Sequence, residues 1–88
     1  MQLSFKKERP AADRRTLADL RRNEVALLDR LELPDELAHR LMELGFLPGH
    51  TIEATHSAPG GDPRVFRIDG SEIALRSETA RRIFLRKS

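Results

Sequence analysis

The sequence predicts a small, mainly β domain in which about five short strands close into a barrel, with one helix inserted early and short helical turns at the joins. Three observations carry this expectation. Apolar residues alternate with polar ones over several short runs, which is the period of a half-buried strand. Pro48-Gly49, Gly60-Gly61 and Asp69-Gly70 punctuate those runs, and such dipeptides turn the chain back on itself. One segment, residues 33–44, carries a helical period instead.

In chain order, residues 1–12 are polar, contain Pro10 and show no sustained period. A flexible N-terminal tail is expected there, with the barrel domain over 13–88. Thr16 is placed to cap a helical turn that packs Leu17 and Leu20, and Asn23, which tolerates a left-handed backbone, is placed to turn the chain. Residues 24–33 could be helix by propensity but, bounded by Asn23 and Pro34, are short enough for a strand and read as one. Its odd positions Val25, Leu27, Leu31 and Leu33 are apolar, and Asp29 breaks the alternation. In 33–44, Pro34 suits the first turn of a helix, and Asp35 and Glu36 favour the positive end of its dipole. Leu37, Leu41 and Leu44 recur at i, i+4, i+7 with Ala38 and Met42 beside them, making one apolar face. Gly45 fits the left-handed position that follows a helix.

Beyond the Pro48-Gly49 turn, residues 50–56 alternate with Ile52 and Ala54 on one face. Residues 57–63 carry every loop signal. Residues 64–69 place Phe66 and Ile68 on one face, Asp69-Gly70 makes a hairpin, and 71–75 follow with Ile73 and Leu75 sharing a face. Ser77 is placed to cap a single turn over 78–82, and Ile83 and Leu85 form a short closing strand. Strand number, turn spacing and the single helix together define an SH3-like barrel, in which closing the sheet removes exposed edges.

Composition narrows the function. A chain of 88 residues suits one domain with a thin core and leaves little interior for a deep substrate cavity. There is no cysteine, which excludes disulfides and thiolate metal sites. No stretch approaches the roughly 20 apolar residues of a membrane span, and no apolar segment follows the basic residues of the N-terminus as a secretory signal requires. Direct membrane insertion is therefore not expected, and a cytoplasmic location is. Net charge is +2. Basic doublets such as Arg14-Arg15, Arg21-Arg22, Arg81-Arg82 and Arg86-Lys87 would suit a phosphate-binding stripe, but acids are interspersed among them, as on an ordinary solvated surface. With no Trp or Tyr, base stacking would rest on Phe5, Phe46, Phe66 and Phe84. No nucleic acid is expected as a partner. A basic nucleic-acid-binding barrel stands as an alternative.

Nothing in the sequence assembles an enzyme. No serine lies in a nucleophile elbow, and Gly60-Gly61 is not followed by a P-loop lysine. Glu36, His39 and Glu43 fall on one helix face at i, i+3, i+7, and imidazole with carboxylate suits ferrous iron or zinc. Such a face is ordinarily solvated, and two or three ligands on it hold an ion weakly unless another chain completes the site. These three residues are the metal candidates. No cofactor is required, and a transition-metal-binding module is the other alternative. His50 and His56 share a side by parity but lie roughly 20 Å apart along a strand. Phe46 and Leu47 sit in a turn, where exposed apolar groups mark interaction sites. Phe46 has a second reading as the hydrophobic contact of the helix C-cap.

The turn residues form a longer pattern: 40–49 (Arg-Leu-Met-Glu-Leu-Gly-Phe-Leu-Pro-Gly), 58–63 (Ala-Pro-Gly-Gly-Asp-Pro), then Gly70, 73–76 (Ile-Ala-Leu-Arg), Glu78 and Ala80. In this order and spacing the chain resembles the FeoA family, the small cytosolic component of bacterial ferrous-iron uptake, over about residues 16–86. It departs from the family pattern at Asn23, where glycine is usual, and Asn adopts the same backbone. The resemblance implies an SH3-like fold, related to the C-terminal domain of DtxR-type repressors. It also implies an accessory, regulatory role in ferrous-iron uptake, exerted by binding the cytosolic part of FeoB, the permease with a GTPase domain. It directs attention to Leu44, Gly45, Phe46, Leu47, Pro48 and Gly49 as the partner-binding candidates. A homo-oligomer is compatible with the sequence.

Overall fold

Alternation along the strands sorts the side chains into an inner and an outer set, and the inner set builds the core. The computed structural model describes residues 15–86; the tail expected at 1–12 lies outside the described residues. A 3-10 turn at Leu17–Asp19 leads into β1 (Val25–Leu31), α1 (Asp35–Glu43) and β2 (Thr51–Ser57). A second 3-10 turn at Pro59–Gly61 leads into β3 (Arg64–Ile68), β4 (Ser71–Leu75), α2 (Ser77–Ala80) and β5 (Ile83–Leu85). All strand pairs are antiparallel, in the order β4-β3-β2-β1-β5. Ile52, Ala54, Phe66, Ile68, Leu75, Ile83 and Leu85 point into one core with Leu28 of β1, Leu41 of α1 and Ala80 of α2. The mainly β barrel with one inserted helix is therefore the observed fold.

Local turn chemistry explains most joins. Asp19 accepts the Thr16 N–H at 2.9 Å and caps the first turn, with Leu17 and Leu20 buried. Asn23 takes φ 68, the left-handed conformation that Asn tolerates. Asp69 and Gly70 take φ 50 and 81, the pair of positive values that a two-residue hairpin requires.

Three expectations are corrected. The odd positions do not form the inner face in the first half of β1: Val25 and Leu27 are exposed, whereas Leu28 is fully buried. A register shift between Leu28 and Arg30 reverses the alternation, so Ala26 and Leu28 precede it on the core side and Leu31 and Leu33 follow it there. An extra residue in one strand does this, and Asp29, which interrupted the apolar pattern, sits at the shift. Pro34 lies at the N-cap of α1, not in its first turn. Ser77 is the first residue of α2, not its cap; the cap is the Asp62 carboxylate, which accepts the Ser77 N–H at 2.9 Å.

The ladder is also not continuous around the barrel, because β4 and β5 are not neighbours. The segment 15–20 spans the seam. On one side Arg15 O accepts the Leu85 N–H at 2.9 Å and Thr16 bridges Phe84. On the other, Arg64 of β3 donates to the carbonyls of Leu17 (3.3 Å), Ala18 (3.0 Å) and Leu20. A single guanidinium thus satisfies the carbonyls of Ala18 and Leu20 at the end of a 3-10 turn, and shares that of Leu17 with the Leu20 N–H.

Candidate functional site

The six candidate residues 44–49 form the C-cap of α1 and the turn into β2. Gly45, at φ 110, donates to Met42 O at 3.0 Å, and Phe46 donates to Leu41 O at 3.0 Å. Those two bonds are the Schellman arrangement, which satisfies carbonyls that a helix end otherwise leaves unpaired. Phe46 then turns inward and is 0% exposed, in the same core as Leu41. Its reading as the C-cap contact is the observed one, and Phe46 is corrected as a directly touching partner residue. Gly45 is buried as well, while Leu44 is 44% exposed, Leu47 is half-buried, and Pro48 and Gly49 are exposed.

This segment is held rigidly. His50 donates to Leu47 O at 3.0 Å across the Pro48-Gly49 turn, and Gly49 donates to Leu28 O at 2.8 Å, fixing the turn to β1. His50 Nδ1 lies 3.3 Å from Asp69 Oδ2. The same carboxylate would stand 2.6 Å from any Cβ added at Gly45, so the helix end, the 47–50 turn and the β3–β4 hairpin meet at Asp69. Sequence reasoning missed two exposed apolar side chains on the outer face of β1, Val25 (55%) and Leu27 (40%). The available signal was that apolar residues occupy both parities of that strand, which one buried face does not require.

The metal candidates are not assembled. Glu36, His39 and Glu43 are each exposed along α1, and i to i+7 on a helix is about 10 Å. Among the described residues no three His, Asp or Glu side chains gather as a metal site. A register shift between Ala54 and His56 breaks the alternation that set His50 and His56 on one side.

Among the described residues, two groups have shifted titrations. Glu24 accepts both guanidinium nitrogens of Arg15 (2.7 and 2.8 Å) and the Arg21 N–H (2.8 Å). The hydrogen bonds from Arg15, then from Arg21, lower its pKa to about 2, because both stabilise the carboxylate over the acid. The same bond raises Arg15 above its ordinary value. These groups fasten the seam segment and lie apart in sequence from the 44–49 turn.

No helix among the described residues is long and apolar enough to cross a membrane. The chain belongs to the FeoA family, whose domain matches residues 15–87. It is 34% identical over 67 residues to a Porphyromonas gingivalis fusion of Fe(2+) transport protein A with the Fe(2+) transporter FeoB, covering 76% of this chain and 8% of that protein. It is 38% identical to iron(II) transport protein A of Clostridium thermocellum (TM-score 0.75), covering 81% of this chain and 44% of that one. It is 30% identical to the zinc-complexed FeoA of Stenotrophomonas maltophilia, a prokaryotic SH3-domain protein (TM-score 0.70), covering 82% and 89% of the two chains. The SH3-like architecture expected from the sequence is thus the family's own. A manganese-dependent transcriptional repressor shares the fold alone, at 16% identity and TM-score 0.72 over 83% of this chain and 36% of that one.

Proposed function

We propose that this chain is an accessory protein of ferrous-iron uptake that acts in the cytoplasm by docking on the cytosolic part of a FeoB-type permease. The observation that carries the reading is the Porphyromonas gingivalis relative, in which a segment similar to this chain and the transporter are one polypeptide. Covalent linkage places two modules at high effective concentration, and selection for it is expected where the two work together. In this reading no residue performs chemistry and no bound metal is required. A rigid surface shifts the permease between states only if it binds them with different affinity. Leu44 and Leu47 supply the apolar contact, held in place by the C-cap and by the bond from Gly49 to β1.

Calorimetric titration of this protein into the FeoB cytosolic domain of the same organism tests this, with and without a GTP analogue and ferrous iron. The expected result is binding whose affinity changes with nucleotide and falls about fivefold or more in Leu44→Asp. Absence of binding in every state counts against the cytosolic domain as the docking site.

A further inference from the structure

The two ends of the sheet are finished differently. At one end the outer side of β5 is covered by Arg15 and Thr16. At the other, among the described residues, β4 has no strand beside it. The hairpin fixes which groups this leaves over. Its two-residue turn pairs Ile68 with Ser71, and the register runs on without a shift to Arg64 and Leu75. In such a hairpin the residues flanking the turn exchange both hydrogen bonds and alternate residues follow suit. Ser71, Ile73 and Leu75 therefore bond to β3, and the N–H and C=O of Glu72 and Ala74 point outward. Both residues are exposed, and among the described residues neither backbone has a partner on that side.

Natural sheets guard such an edge with a bulge, a proline or a standing charge. β4 has no bulge and no proline. Its one charge, Glu72, is drawn across the sheet to Arg67, 2.8 Å away on β3. Arg76 continues the strand in extended backbone, at φ −67 and ψ 151, with no ion-pair partner among the described residues.

We propose that this edge pairs antiparallel with the same edge of a second copy of the chain, on a two-fold axis at Ile73. That register sets Glu72 opposite Ala74 of the other copy, so the residues with outward backbone groups face each other and four backbone hydrogen bonds form. The self-complementarity selects a second copy as the occupant. A long acid faces a small neutral residue, and Arg76 of each copy becomes the diagonal neighbour of Glu72 in the other, within reach of a long side chain. Shifting the axis to Glu72 would oppose like charges. The interface is small, so the dimer forms at high concentration, as it would where the protein gathers on a common partner.

Sedimentation of the full chain from micromolar to millimolar concentration, together with amide exchange at Glu72 and Ala74, tests the proposal. The expected result is a concentration-dependent dimer with those amides protected as it forms. Ala74→Pro removes an outward N–H and leaves a monomer at every concentration with an unchanged far-ultraviolet spectrum. Should that variant misfold, charge exchange decides. Glu72→Arg and Arg76→Glu each weaken self-association about tenfold by placing like charges across the edge, and an equimolar mixture of the two restores it as a heterodimer. A monomer throughout the range, or a dimer indifferent to these substitutions, overturns the proposal. Protection of the two amides only when a permease domain is added also overturns it, and assigns the edge to a partner's strand.

Discussion

Gly45 meets two separate requirements, and Gly49 meets one. Both have positive φ, 110 and 88, but a Cβ at Gly45 would lie 2.6 Å from Asp69 Oδ2, whereas at Gly49 the nearest atom is 3.7 Å away. A left-handed backbone costs an ordinary residue about 1–2 kcal/mol, and forced overlap adds about 1–3 kcal/mol. Gly49→Ala is therefore expected to lose about 1–2 kcal/mol in urea unfolding and Gly45→Ala about 2–5 kcal/mol. In an Asp69→Gly background the extra loss at Gly45 shrinks, since the atoms it meets belong to Asp69; a double-mutant cycle reads this directly. The same reasoning decides how the partner turn is to be probed. Phe46 is fully buried, so Phe46→Ala costs about 3–5 kcal/mol, comparable to the whole stability of a small domain. Loss of binding in that variant would report unfolding, and Leu44 is the informative position.

Among the elements, β1 separates what local chemistry reveals from what it hides. Asn23, Gly45 and Asp69-Gly70 were legible because each turn needs a backbone that few residues supply, and the structure gives all of them positive φ. The strands β2, β3 and β4 were legible because each keeps one parity for its core side chains. β1 changes parity halfway; apolar residues on both parities hinted at it, and Asp29 marked the place in the sequence. Deciding which side of that mark faced inward needs the partner strands, whose registers put Ala26 opposite Ile52 and Leu31 opposite Ile83. The assignment has a sharp consequence for adjacent leucines. Leu28→Ala is expected to cost about 3–5 kcal/mol. Leu27→Ala, on the exposed face, is expected to stay within about 1 kcal/mol. Equal losses in thermal unfolding would contradict the bulge. The α2 cap was hidden for a similar reason: Asp62 lies fifteen residues before Ser77, outside any local pattern.

At the scale of the molecule, the barrel depends on a seam that is not a strand pair, and nothing in the local sequence announces it. Arg64 takes the same parity as the core residues Phe66 and Ile68, a charge on the inward side of β3, and only the fold brings its guanidinium to three carbonyls of the first turn, stacked 5.4 Å from the Phe66 ring. Removing a charged donor from half-buried carbonyls costs about 1.5–3 kcal/mol. Arg64→Met is expected to lose that much, and Arg64→Lys to recover little, because an ammonium lacks the planar fork. Glu24 fastens the same segment from outside through Arg15, and its pH dependence has a definite sign. Its ordinary pKa of 4.5 falls to about 2 in the fold, so the folded state holds the carboxylate more tightly than the unfolded chain does. Its stabilisation is complete above the unfolded value and is lost as pH falls through the folded one. Between pH 4.5 and about 2 the wild type should therefore lose stability more steeply than Glu24→Gln, and the two curves should run parallel at neutral pH. Because the pair is solvent-exposed, its contribution is small and salt screens it. Raising ionic strength should bring the wild-type acid profile toward that of Glu24→Gln. If the wild-type and Glu24→Gln profiles already coincide at low salt, the carboxylate of Glu24 does not fasten the seam.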